Sequence, residues 1–215
     1  MKVIVTGATG MVGEGVLHEC LLHPSVEEVL LLSRKTAAVS HPKVREIILS
    51  DLMDIAGKEN DLSGYDACFF CLGISSIGKS EEEYTRITYD LTMTVAATLL
   101  RTNRSMVFCY VSGAGTGNSR QMWARVKQKT ENELMLMPFR KVFAFRPGFM
   151  NPTKGLKNAH KMYIPFSWSY PLWRLLFPAF VCSLREVGLA MIHAVERGYP
   201  KSLLEVVDIV ALAGE

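Results

Sequence analysis

Residues 3–15 read Val-Ile-Val-Thr-Gly-Ala-Thr-Gly-Met-Val-Gly-Glu-Gly. An apolar, β-branched run breaks into glycines at every third position, Gly7, Gly10 and Gly13. The run before the loop has strand character. After it, GMVGEGVLHECLLHP has helical periodicity until Pro24 stops it. A glycine triplet placed between a strand and a helix is the context in which it means dinucleotide binding. Gly7 permits the tight turn, Gly10 lets the backbone approach a pyrophosphate, and Gly13 lets the helix pack close to the sheet. The phosphates are then expected on the amides and the positive end of that helix. The competing reading is a glycine-rich turn that holds no ligand.

Working outward, strand-like and helix-like segments alternate. EEVLLLS is a second strand, VREIILSD a third and YDACFFCLG a fourth, followed by a helix from about residue 82 to 101. SMVFCYVSG is a fifth strand, residues 123–137 fit a helix, and KVFAFRPG is a sixth strand. Several strands are apolar without alternation, as expected when helices cover both faces of a parallel sheet. The expected fold class is α/β, a doubly wound parallel sheet of Rossmann type with a short irregular C-terminal substrate region. The expected organisation is a single NAD(P)-binding domain over 1–215, with its core in 1–150 and a lid or substrate region over about 151–215. Within that region, 151–183 reads as irregular, LREVGLAMIHAVERGY as a helix closed by Pro200, and LLEVVDIVALA as a last strand or short helix.

Bulk properties narrow the partners. The 215 residues are 49% hydrophobic with a formal charge of +3. No Lys/Arg run is long enough to track a phosphate backbone, so no nucleic acid is expected. The N-terminus enters a strand directly, with no signal-peptide cleavage region, and a cytoplasmic protein is expected. IPFSWSYPLWRLLFPAFV is interrupted by prolines and Arg174, too often for a transmembrane segment. The five cysteines are odd in number and sit mostly in apolar runs, which reads as reduced thiols. Cys68 and Cys71 have CxxC spacing within a strand. Neighbours three apart there point to opposite faces, so core packing is expected for both. His18, His23, His41, His160 and His193 show no ligand spacing, and no metal is expected.

The end of the second strand bears on the nucleotide. A carboxylate about twenty residues past the glycines would bind the adenosine ribose. Ser33 stands twenty residues beyond Gly13, Arg34 and Lys35 follow, and LLSRKT contains no carboxylate. A hydroxyl and two cations suit a 2′-phosphate, because a guanidinium pairs with it through a charged fork. NADP(H) is therefore expected over NAD(H).

TGATGMVG at the N-terminus, CLG after the fourth strand, the serine of VSGAG, Lys127 and the RPG turn follow one another in order. Over about residues 1–150 that series resembles the atypical short-chain dehydrogenase/reductase superfamily, including Tat-interacting-protein-like oxidoreductases and NAD(P)-binding relatives of nucleotide-sugar epimerases. The resemblance implies that Thr9, Gly10, Met11 and Val12 face the phosphates. It further implies that Asp51 and Leu52 meet the adenine, and that Cys71, Leu72 and Gly73 pass under the nicotinamide-side ribose. Pro147, Gly148 and Phe149 match the turn beside the carboxamide. Ser112 would bond a substrate carbonyl, and Lys127 would hold the ribose hydroxyls as the second catalytic residue.

One position departs from the pattern. QMWARVK places Trp123 where the superfamily carries its proton-transferring tyrosine, four residues before Lys127. An indole N–H does not titrate usefully, so it cannot do general acid–base work. Lys127 through a water, Tyr84, Tyr110 or Tyr163 are the substitutes the sequence offers. Trp123 as a helix residue packed on the sheet, and Ser112 as a strand-end cap, are the structural alternatives. Residues 162–181 suit an apolar or aromatic small-molecule substrate, a partner surface, shallow membrane contact or packing on the chain's own edge. Arg174 there suits either an anionic substrate or a surface charge.

Three functions remain open from sequence. The first is an NADP(H)-dependent oxidoreductase acting on a small carbonyl or alcohol. The second is a non-catalytic NADP(H) sensor, and the third an epimerase or dehydratase on a nucleotide-linked sugar. A homodimer is among the assemblies left open.

Overall fold

The computed structural model describes residues 1–158 and 169–214. Seven parallel strands form one sheet in the order β3-β2-β1-β4-β5-β6-β9. They are β1 (Lys2–Thr6), β2 (Glu28–Ser33), β3 (Val44–Ile48), β4 (Ala67–Phe70), β5 (Val107–Val111), β6 (Lys141–Arg146) and β9 (Leu203–Glu205). The order reverses between β1 and β4, and the crevice outside the strand C-termini at such a switch point is where α/β sheets bind ligands.

The unalternating strands recognised in sequence are buried on both faces. Val3 and Val5 of β1, with Leu31 of β2, Phe69 of β4 and Cys109 of β5, belong to one core layer. Helix α1 (Met11–Leu22) and helix α6 (Leu184–Glu196) contribute Val16, Leu17, Val187 and Met191 to that layer. Ile4, Leu30, Cys68, Phe70, Phe108 and Tyr110 belong to the opposite layer, with Leu91, Val95 and Leu99 of helix α3 (Leu91–Thr102) and Leu134 of helix α4 (Met122–Leu136). Strand alternation therefore feeds two apolar layers, which is why both alternate positions are apolar. Cys68 lies in one layer and Cys71 packs against the other, so CxxC spacing brings no shared ligand face.

Glycine sets how α1 packs. A Cβ on Gly15 would meet Leu184 Cβ at 2.9 Å, and one on Gly188 would meet Glu19 Cγ at 2.7 Å. Helices α1 and α6 thus lie side by side in parallel, each lending a glycine to the contact. The helix expected over 82–101 is α2 (Glu81–Thr85), opened by a Ser80/Glu83 capping box and joined to α3 by a π turn at Arg86–Asp90.

The region expected to be irregular holds more order than its composition suggests. β7 (Phe149–Asn151) pairs in parallel with β8 (Val181–Ser183), and helix α5 (Tyr170–Leu176) precedes β8. Three-residue strands are too short to carry a periodic signal, so this small sheet is not readable from composition. Beyond α6, whose N-terminus is closed by a Ser183/Glu186 capping box, the last segment supplies both β9 and helix α7 (Val206–Gly214). Among the described residues no helix is long and apolar enough to cross a membrane.

Candidate active site

The glycine loop has the geometry its residues require. Gly7 adopts φ +72°, and a Cβ there would meet Leu72 N at 2.8 Å and Cys71 O at 2.9 Å. A Cβ on Gly13 would approach Gly7 O to 2.1 Å, so the helix can sit on the loop only without a side chain. Gly10 is exposed, stands at the N-cap of α1 and offers no side chain to the first-turn amides. Those amides are free of side-chain capping, which suits an anion there.

A cavity of about 550 Å³ opens at the switch point. Its lining includes Gly7, Thr9 and Gly10 of the loop, Ser33, Arg34 and Lys35 after β2, and Leu52 with Cys71, Leu72 and Gly73. Ten sequence-nominated positions therefore share one concave wall. Met11 and Gly13 are buried behind the loop and Val12 is half-buried, so their amides, not their side chains, are the groups such a site can use. Asp51 lines an adjoining cavity together with Arg34 and Arg86, and its side chain accepts from Met53 N–H at 2.9 Å.

Ser33 differs from expectation. It is buried, and its Oγ lies 2.8 Å from Lys35 O and 3.2 Å from Glu46 Oε1. Its hydroxyl shapes the loop, while Arg34 and Lys35 stand exposed. Glu46 went unnoticed in the sequence because it comes from β3, where register sets it beside Leu31; its Oε1 also accepts from Ala37 N–H at 2.8 Å.

At the end of β5, Ser112, Trp123 and Lys127 converge. Lys127 Nζ donates to Val111 O at 3.2 Å and to Ser112 O at 3.1 Å, and sits 5.4 Å from the Tyr110 ring centre. Burial lowers its pKa from 10.5 to about 8, and the Glu131 carboxylate only partly offsets this. Ser112 is buried, and its Oγ lies 3.3 Å from Thr116 Oγ1, a neighbour unmarked in sequence. The Trp123 indole rests over the loop, 3.8 and 3.7 Å from where Cβ atoms would stand on Gly113 and Gly115. Its Nε1–H donates to Gln121 Oε1. Ala114 N–H donates to Pro147 O at 3.0 Å, which ties this loop to the Pro147–Phe149 turn.

Helix α4, which carries Trp123 and Lys127, is pinned by charge. Arg146 Nε donates to buried Glu131 Oε1 at 3.0 Å, and Arg146 also pairs with Glu205 at 2.9 Å.

The substitute tyrosines among the described residues are closed off in the core. Tyr84 and Tyr110 are both almost wholly buried, and burial pushes both phenols up, opposite to what proton transfer at neutral pH needs. Tyr163, proposed from sequence as a third, lies outside the described residues. Arg174 is not free for an anionic substrate: it donates to Val181 O at 2.7 Å and to both oxygens of Glu186. Phe149 leads away from the cavity into an apolar pocket of about 370 Å³, shared with Trp173, Phe177, Phe180 and Val181. A Cβ on Gly148 would meet Phe180 O at 2.2 Å, so glycine lets the turn close on that pocket.

A family model described as the NAD-dependent epimerase/dehydratase family matches residues 3–134, from the glycine loop through Lys127. The chain belongs to that family. Its curated relatives include "Protein fmp52-1, mitochondrial" of Aspergillus oryzae, 29% identical over 151 residues, covering 67% of this chain and 63% of the relative. The chain thus spans slightly under two thirds of that relative's length. Several similar relatives also carry "mitochondrial" in their names, which overturns the cytoplasmic placement expected from the N-terminus.

Solved structures share the fold. An oxidoreductase of the short-chain dehydrogenase/reductase family from Burkholderia thailandensis superposes with TM-score 0.70 at 15% identity, over 95% of this chain and 90% of that one. The Bordetella bronchiseptica enzyme WbmF, solved with NAD+, gives 0.67 at 18% identity over 99% and 76%. At these identities the likeness concerns fold alone. The family is thus an NAD(P)-binding one of short-chain dehydrogenase and epimerase type, as the motifs implied.

Proposed function

We propose that this chain, as one domain over 1–215, binds NADP(H) in the switch-point cavity and exchanges hydride with a small apolar carbonyl or alcohol. The observation that carries the reading is the common wall joining the glycine loop, Arg34 with Lys35, and Cys71–Gly73. Gly10, exposed at the N-cap of α1 with no side-chain cap, leaves the first-turn amides bare, which fits a pyrophosphate pressed on them. Two exposed cations fit a 2′-phosphate.

Bound NADP(H) would supply or accept the hydride. Ser112 would orient the carbonyl oxygen, with Thr116 fixing its hydroxyl. Lys127 spends two of its three donors on Val111 and Ser112 carbonyls and keeps the third for a ribose hydroxyl or a water. With its pKa near 8, the ammonium can give up a proton close to neutral pH, which supports it as the proton source that Trp123 cannot be. The aromatic pocket beyond Phe149 supports an apolar or aromatic substrate. Relatives named as mitochondrial support a mitochondrial setting.

A second reading, a cofactor-binding regulator without turnover, is favoured by Trp123, whose N–H is engaged by Gln121 and does not titrate. Purified protein titrated with NADPH and NADH, then given aldehydes, ketones and quinones, separates the two. Oxidation of NADPH supports the enzyme, whereas micromolar binding without turnover supports the regulator. Failure of either nucleotide to bind at millimolar concentration overturns both.

A further inference from the structure

Parallel packing of α1 and α6 brings their last turns together at the sheet end opposite the glycine loop. The contacts step along both helices, Gly15 with Leu184 and Glu19 with Gly188, and arrive at His23 beside His193. Glu196, one turn beyond His193, joins them, and one ligand atom from each of the three lies within 4.8 Å of the others.

We propose that His23, His193 and Glu196 form a site for a divalent transition cation of the zinc class, which ties α1 to α6. Two imidazoles and a carboxylate, with water as fourth ligand, are a donor set zinc accepts in tetrahedral geometry. His193 is already oriented for it. Its Nδ1 lies 2.8 Å from Leu212 O, which can only accept, so Nδ1 carries the proton and Nε2 keeps its lone pair. A metal-bound histidine usually holds its second nitrogen this way. His23 Nδ1 accepts from Ser25 N–H at 3.4 Å and has the Ser25 hydroxyl at 2.7 Å, so a metal on Nε2 requires the ring proton to move to Nδ1, where the Ser25 oxygen accepts it.

Ligand atoms on a common zinc at about 2.0–2.2 Å stand closer than 4.8 Å, so the site must draw in. Exposed Glu196 is free to swing, while buried His193 gives the fixed point. Lys43, which donates to Leu21 O and His23 O, and Arg197 place positive charge nearby. That charge holds affinity to the micromolar range, below that of a closed structural zinc site. The histidines stand 170 residues apart, so no spacing motif announces them.

The test is zinc titration of the metal-free protein by calorimetry, with cobalt(II) substituted for its visible spectrum. One zinc per chain with micromolar affinity is expected, and the cobalt spectrum should show d–d bands without thiolate charge transfer. Glu196→Gln and His23→Gln, both outside the buried core, should each weaken zinc at least about tenfold with unchanged melting in chelator. No zinc binding at 100-fold excess overturns the proposal. So does binding that both variants leave intact, or a cobalt–thiolate band, which would place the metal on cysteine.

Discussion

Replacing Arg34 with alanine removes one of two exposed cations at the end of β2, on the wall shared with the glycine loop. Among the described residues neither Arg34 nor Lys35 is engaged in an ion pair, so neither charge is neutralised by a carboxylate bridge. A hydrogen bond to a charged group contributes about 1.5–3 kcal/mol. Arg34 is exposed and screened, so the lower part of that range applies, about 1.5–2 kcal/mol. At about 1.4 kcal/mol per tenfold, the NADPH dissociation constant should rise about 10- to 30-fold. NADH lacks the 2′-phosphate, and its affinity should stay within about twofold on the same reasoning. Calorimetric titration of both nucleotides at low and physiological salt reads both quantities, and the NADPH loss should shrink as salt screens the pair. Removing Lys35 as well should weaken NADPH further. A change under threefold for NADPH would refute the assignment of Arg34 to a phosphate. An equal loss for both nucleotides would assign it instead to the shape of the loop.

Four further outcomes follow from the geometry. Trp123→Tyr restores a phenol four residues before Lys127, and NADPH-dependent reduction should rise at least about tenfold in steady-state assays; an unchanged rate would place the proton source elsewhere. Lys127, with its folded pKa near 8 against 10.5 unfolded, is neutral in the fold and protonated in the unfolded chain between those values. The unfolded state then binds more protons, so stability relative to Lys127→Met should rise with pH across that window, by at most about 3 kcal/mol. Denaturant melts that run parallel from pH 8 to 10 would contradict the burial of that ammonium. Gly13→Ala drives a methyl against Gly7 O and should lower the melting temperature by roughly 5–10 °C as well as weaken nucleotide binding. Glu131→Ala strands buried Arg146 and should cost about 3–5 kcal/mol in chemical denaturation; a loss under 1 kcal/mol would mean that Glu205 suffices.

The chain's local chemistry, read without coordinates, determined the glycine turn, six of the seven parallel strands with the helices between them, and the cations after β2. Each of those signals lies within a few consecutive residues: an apolar run buried on both faces, a loop stripped of side chains, a helix stopped by Pro24. The CxxC of β4 was also legible, since alternation alone sends Cys68 and Cys71 into different layers. Tertiary structure decided the rest. It turned Ser33 inward beside Glu46, paired Arg174 with Glu186, buried Tyr84 and Tyr110 in the core, and joined β7 to β8. It also set Thr116 against Ser112 and carried His193 to His23. Each of these is a meeting of side chains or short strands whose partner is chosen by strand register and helix packing. Local periodicity encodes which face a residue shows, and only the closed fold selects what that face meets.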